Sequence, residues 1–189
     1  MKNYNHIVYI GTIVLTSLFC LTSCSVDVDI DDDVVVIIDA DFEDLESWTS
    51  IRSLSENQVR NMVAQNEPEL NALISTRALS SVDVYKITYN TVNVEGQNIV
   101  ASGLVMIPEN GTNLPLLSFQ HGTIFTNADA PSSYNTEKLA TVFGTILAAS
   151  NYAVIMPDYL GYGASSNYPH PYEHQKTLGS VSYDMIKAV

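Results

Sequence analysis

The chain has 189 residues, of which 46% are hydrophobic, a proportion that suits a folded core and excludes a disordered chain. Its formal charge of −13 leaves no basic footprint, so nucleic acid is excluded as a partner. The acidity is local: ten of the 21 acidic residues and no basic ones fall between Asp27 and Glu46, and beyond Glu46 there are 11 acidic against 7 basic residues.

At the amino terminus, Lys2 precedes an apolar run from Ile7 to Leu21. The run is shorter than the roughly 20 apolar residues of a membrane-spanning helix, and suits a signal-peptide core. It ends in Leu21-Thr22-Ser23-Cys24, which resembles the lipobox of bacterial lipoproteins. The resemblance implies a signal peptide over residues 1–23 and a diacylglycerol on the Cys24 thiol. Acyl chains contribute about 0.8 kcal/mol per buried CH₂, so Cys24 is the expected membrane anchor. Cys20 would leave with the signal peptide, which leaves one acylated cysteine, no disulfide framework and no cysteine nucleophile.

Residues 24–50 read as an acidic, solvated tether, with a β-prone run from Val34 to Ile38. Acidic residues close behind a lipidated cysteine resemble a surface-export signal of Bacteroidetes lipoproteins. Together these likenesses imply a bacterial cell-envelope protein, lipid-anchored to the outer membrane and facing outward.

Residues 51–80 are expected to form a helical segment. Ser55 and Gln58 have the spacing of a capping box, and Val59, Met62 and Val63 follow at helical spacing. Pro68 interrupts, and Leu70, Leu73 and Ile74 continue as a second short helix. None of these residues suggests chemistry.

From Ser81 the period changes. Val82 to Tyr89 alternates and is rich in β-branched and aromatic residues, Glu95-Gly96-Gln97-Asn98 has turn chemistry, and Ile99 to Ile107 returns as a second strand. Leu114 to Phe119 and Tyr152 to Met156 are short apolar runs of the kind seen in strands buried on both faces. Helices are expected over Thr136 to Ala149 and from Leu178 to Val189. An antiparallel hairpin followed by β-loop-α-β-loop-α predicts an α/β fold: a mixed sheet that becomes parallel, with flanking helices.

Two loops carry the functional reading. His121-Gly122-Thr123 follows the first short strand, and Asp158-Tyr159-Leu160-Gly161-Tyr162-Gly163-Ala164-Ser165 follows the second. In this order, the strand-His-Gly-x and Asp-x-x-Gly-x-Gly-x-Ser loops resemble the α/β-hydrolase family, and most closely bacterial esterases related to the secretory lipase group. The resemblance covers residues 81–189. It implies an ester or lipid small molecule as substrate and no cofactor or metal. Ester hydrolysis builds negative charge on the carbonyl oxygen, which preorganised N–H donors stabilise. The resemblance places Thr123 and Gly122 in such an oxyanion hole, with His121, Asp158, Gly161 and Gly163 shaping the loops. It also implies that His121 is not the catalytic base, because that histidine comes after the nucleophile in the family's chain order.

Two lookalikes lead elsewhere. Gly161-Tyr162-Gly163-Ala164-Ser165-Ser166 has part of a dinucleotide fingerprint, but Pro169 and Pro171 fall where a phosphate-binding helix would begin. His170-Pro171-Tyr172-Glu173-His174 has the letters of a zinc pattern that needs both histidines on one helix, which the prolines forbid.

No Gly-x-Ser-x-Gly nucleophile motif occurs in the 189 residues. Domains of this kind run to about 200–250 residues, so residues 81–189 are expected to be the truncated amino-terminal part of one. Nucleophile, triad acid and histidine are absent on this reading, and the chain alone is expected to be inactive. The parent would be a lipid-anchored serine esterase or lipase. A peptidase of the same fold and a non-catalytic surface-binding lipoprotein are the alternatives.

Overall fold

A computed structural model describes residues 44–189. The signal peptide, Cys24 and residues 24–43 of the acidic tether therefore lie outside the described residues. The described residues form a five-stranded mixed sheet with helices on both faces.

The first element is a strand, β1 (Leu45–Leu54), and it departs from expectation. The tether was expected to run to residue 50 and a helical segment to start at 51. Instead the segment pairs antiparallel with β2 (Val82–Val92), with register irregularities between Leu45 and Ser47 and between Ser50 and Arg52. Nine of its ten residues are exposed, so it has no buried stripe to imprint a period of two on the sequence.

Helix α1 (Glu56–Asn66) starts as its capping box dictates. The Ser55 N–H donates to Gln58 Oε1 at 2.8 Å, and the Gln58 N–H donates to Ser55 Oγ at 3.4 Å. Val59, Met62 and Val63 are its buried face. Pro68 opens a 3₁₀ turn that leads into the short α2 (Asn71–Ile74).

The hairpin of β2 and β3 (Asn98–Pro108) is regular from Val82↔Pro108 to Val92↔Asn98. Its turn is organised by Asn93, whose Oδ1 accepts from the Glu95 and Gln97 N–H groups at 3.0 and 2.9 Å, and by Gly96 at φ +76°.

Next come β4 (Leu116–Ser118), α3 (Leu139–Ala149), β5 (Ala153–Pro157) and α4 (Gln175–Ala188). The strands order as β1-β2-β3-β5-β4, antiparallel except for the β4–β5 pair, which is parallel across the α3 crossover. Helix α3 starts three residues later than expected. Helix α4 starts three earlier, because the His174 side chain accepts from the Thr177 N–H and caps it.

Two apolar layers cover the sheet. On one face Val82, Val84, Leu104 and Met106 pack with Val59 and Val63 of α1 and Val142 and Ile146 of α3. On the other, Ile87, Tyr89, Val105 and Ile155 pack with Val181 and Met185 of α4. Helix α4 approaches closely at Gly103, where a Cβ would lie 2.6 Å from Met185 Cε.

Candidate functional site

Both loops leave the sheet at the carboxyl ends of the parallel pair β4 and β5, where α/β sheets place their ligands. The β4 loop runs through Gln120, His121, Gly122, Thr123 and Ile124, and the β5 loop from Asp158 to Ser165.

Asp158 is fully buried and ties three segments together. Its Oδ2 accepts from Ser102 Oγ of β3 at 2.5 Å, and its Oδ1 accepts from the Ser132 N–H, beyond the β4 loop, at 2.7 Å. Ser102 Oγ accepts in turn from the Ala164 N–H at 2.8 Å. Charge-assisted bonds of this kind are among the stronger ones, and this set compensates the burial of the carboxyl. Gly163 completes the arrangement. It sits at φ +56°, and a Cβ there would collide with Asp158 Oδ2 and Ser102 Oγ. Gly161, at φ +86°, lets the backbone pass His170, whose Cα would lie 2.6 Å from an added Cβ.

The two loops are joined by tyrosines. Tyr162 Oη donates to the Ile124 carbonyl at 2.7 Å. Tyr159 Oη donates to Gln120 Oε1 at 2.9 Å and, at 3.4 Å, to the His121 carbonyl. The Tyr159 ring lies 4.2 Å from the His121 ring, tilted by 32°. Burial raises the Tyr159 phenol above its ordinary pKa, so it stays a neutral donor.

His121 Nδ1 lies 2.7 Å from the Gly122 carbonyl, so Nδ1 carries the proton. Its Nε2 is buried and has no hydrogen-bond partner among the described residues. Gly122 does not need its conformational freedom for the turn: its φ is outside the left-handed region, and an added Cβ would meet nothing within 4 Å. The Gly122 and Thr123 N–H groups donate to no acceptor among the described residues. One cavity of about 220 Å³ opens between this loop and Tyr159, His170 and Tyr172. A second, of about 180 Å³, lies on the side of Pro131, Leu139, Ala140 and Met156. Phe125, 87% exposed, ends the loop.

The structure thus brings His121, Gly122, Thr123, Asp158, Gly161 and Gly163 into one region, with Asp158 and Gly163 beneath and Thr123 at the surface. Residues that sequence reasoning missed are Ser102, Ser132, Tyr159, Tyr162 and Asn127, whose Oδ1 accepts from the Gly163 N–H at 2.9 Å. Ser102 had a signal, as the lone hydroxyl in the apolar run Ala101 to Ile107.

The lookalikes fall apart in space. His170 is held outside any helix by its Nδ1 contact to the Leu160 carbonyl at 2.6 Å, while His174 caps α4. No three His, Cys, Asp or Glu side chains gather as a metal site among the described residues. Ser165 follows Gly163-Ala164 but is buried, its Oγ donating to the Tyr162 carbonyl at 2.9 Å, so it is not an exposed nucleophile.

Strand order, the β4–α3–β5 crossover and the placing of the two loops define an α/β-hydrolase-like fold. A protein from Legionella pneumophila, provisionally described as a hydrolase, matches over 77% of this chain with a TM-score of 0.67 and 30% identity. The rice cell wall degrading esterase LipA from Xanthomonas oryzae matches over 79% with a TM-score of 0.64 and 28% identity. The chain spans only 38% and 37% of the lengths of these two proteins. No family model and no curated protein matches the chain.

Proposed function

We propose that residues 81–189 are the amino-terminal part of a serine hydrolase that cleaves carboxylic esters, with nucleophile, acid and base supplied by sequence outside these 189 residues. The observation that carries the reading is the Thr123 N–H. It is a backbone donor without an acceptor among the described residues, on a pinned loop at the carboxyl end of a parallel strand, in a fold shared with an esterase. When a serine oxygen attacks the ester carbonyl, the π electrons move to the carbonyl oxygen. On this reading the Thr123 N–H, with Gly122 beside it, binds that oxyanion.

The test uses the complete reading frame. A serine-directed fluorophosphonate should label it, and it should hydrolyse short-chain aryl esters. Because the donor is backbone, Thr123→Ala should be mild. Thr123→Pro removes the N–H and should lower kcat by about 10²–10³, the usual cost of one oxyanion donor. Circular dichroism checks that the proline variant folds. Near-normal kcat in a folded Thr123→Pro variant would move the oxyanion role to another loop. Turnover of peptides but not esters would favour a peptidase, and absence of labelling would favour a binding protein.

We further propose that the enzyme is anchored to the outer membrane through a lipid on Cys24. The lipobox likeness at Leu21 to Cys24 and the acidic segment behind it support this reading.

A further inference from the structure

We propose that Tyr159 and Tyr162 are positioning residues that hold the β4 loop at both ends and thereby aim the Thr123 N–H. This rests on the oxyanion reading of Thr123. The two tyrosines are three residues apart on the β5 loop, and the carbonyls they reach, His121 and Ile124, are three apart on the β4 loop. The two oxyanion-loop residues, Gly122 and Thr123, lie between those carbonyls, and their N–H groups have no acceptor among the described residues. Their orientation must therefore be imposed from the flanks.

The imposition passes through one planar unit. The Gly122 carbonyl and the Thr123 N–H belong to the same trans peptide and point in opposite directions. His121 Nδ1 donates to that carbonyl at 2.7 Å, so the Thr123 N–H is turned away from the imidazole. The imidazole is fixed in turn by the Tyr159 ring at 4.2 Å. Tyr159 has φ +63°, a left-handed conformation that bulky residues rarely adopt. Such strain persists where the surroundings over-determine it, and here it brings a phenol under His121 and its hydroxyl to Gln120 and the His121 carbonyl. Tyr162 closes the other end at 2.7 Å, the shorter of the two tyrosine-to-carbonyl bonds.

If the tyrosines served only as packing, removing their hydroxyls would be silent. Tyr159→Phe and Tyr162→Phe keep the rings and delete one oxygen each, so both variants should fold. The complete reading frame carrying each change is assayed for kcat and KM on a short-chain aryl ester, for inhibition by a trifluoromethyl ketone, and for the rate of limited chymotrypsin cleavage after the exposed Phe125. A misplacement of about 1 Å can cost 10²-fold, so loss of one tether should lower kcat by about 5–20-fold. KM should stay within about twofold, and ketone affinity should fall in step with kcat/KM, because the interaction is made to the oxyanion rather than to the ester. Cleavage after Phe125, which is 87% exposed, should quicken in both variants. Unchanged kcat and unchanged cleavage would overturn the proposal. Quicker cleavage with unchanged kcat would show a tethered loop that does not bind the oxyanion. That result would overturn the oxyanion reading and the positioning role with it, whereas a damaged Thr123→Pro variant beside silent tyrosine variants would overturn the positioning role alone.

Discussion

Gly163 is where backbone geometry and the buried carboxyl meet, and Gly163→Ala should be among the most damaging single-methyl changes in the protein. Alanine at φ +56° costs about 1–2 kcal/mol relative to glycine, because its Cβ crowds the following carbonyl. The new methyl would also occupy the space of Asp158 Oδ2 and Ser102 Oγ, forcing apart their hydrogen bond. A hydrogen bond to a charged group contributes about 1.5–3 kcal/mol. Against this stands a gain of about 0.4–1 kcal/mol from a stiffer unfolded chain. The balance is a loss of about 2–4 kcal/mol. With a urea slope of about 1–3 kcal/mol/M, the unfolding midpoint of the complete protein should fall by roughly 1–2 M. Gly122→Ala is the internal control. An added Cβ there touches nothing within 4 Å and φ is unexceptional, so its midpoint should be unchanged or slightly raised. Should Gly163→Ala unfold within about 1 kcal/mol of the parent, or Gly122→Ala lose as much, the account of the β5 loop is wrong.

Other outcomes follow from the same contacts. Burial, then the charges of Asp158 and Asp184, push the Tyr89 phenol well above its ordinary value, so the folded state holds that proton when the unfolded chain has lost it. Stability should therefore decline as pH rises past about 10, and Tyr89→Phe should flatten that decline in alkaline urea titrations. Asp158→Asn keeps an acceptor for the Ser132 N–H but turns an amide donor toward Ser102 Oγ. It should cost about 1–3 kcal/mol, read as a lowered urea midpoint, with a larger loss for Asp158→Ala. Cys24→Ser should leave an unlipidated precursor outside the membrane fraction. An unchanged distribution, with no lipid on the amino-terminal peptide by mass spectrometry, would remove the anchor.

Legibility in the sequence followed the strength of local signals. The β2–β3 hairpin was readable because Val82 to Tyr89 alternates between two covered faces, and α1 because Ser55 and Gln58 close a capping box independent of tertiary context. Strand β1 was not readable, since a strand exposed along nine of its ten residues is specified by its partner, not by its own pattern. Within the site, the loop glycines and Asp158 were visible as letters. Their partners were not, because Ser102 and Ser132 reach Asp158 from 56 and 26 residues away. The tyrosine bonds to the β4 loop likewise span 38 and 39 residues, and no local pattern encodes such pairings.

Backbone strain marks the same region independently of any hydrogen bond. Among the described residues, six non-glycine positions have positive φ: Asn110, Asn113, Asn151, Tyr134, Tyr159 and Glu173. The three asparagines need little explanation, because a short amide side chain tolerates the left-handed region and serves turns. The other three carry larger side chains. Tyr159 and Glu173 both line the cavity beside Thr123, and Tyr134 ends the 3₁₀ turn that sends the Ser132 N–H to Asp158. Strain of this sort is retained where surrounding contacts outweigh it. Two of the residues show those contacts directly: Tyr159 through its hydroxyl and the His121 ring, and Tyr134 through its buried bond to Thr145 Oγ1 at 3.2 Å. On the proposed oxyanion role of Thr123, such over-determination favours catalysis, since a donor that moves to meet the oxyanion spends part of its stabilisation on reorganisation.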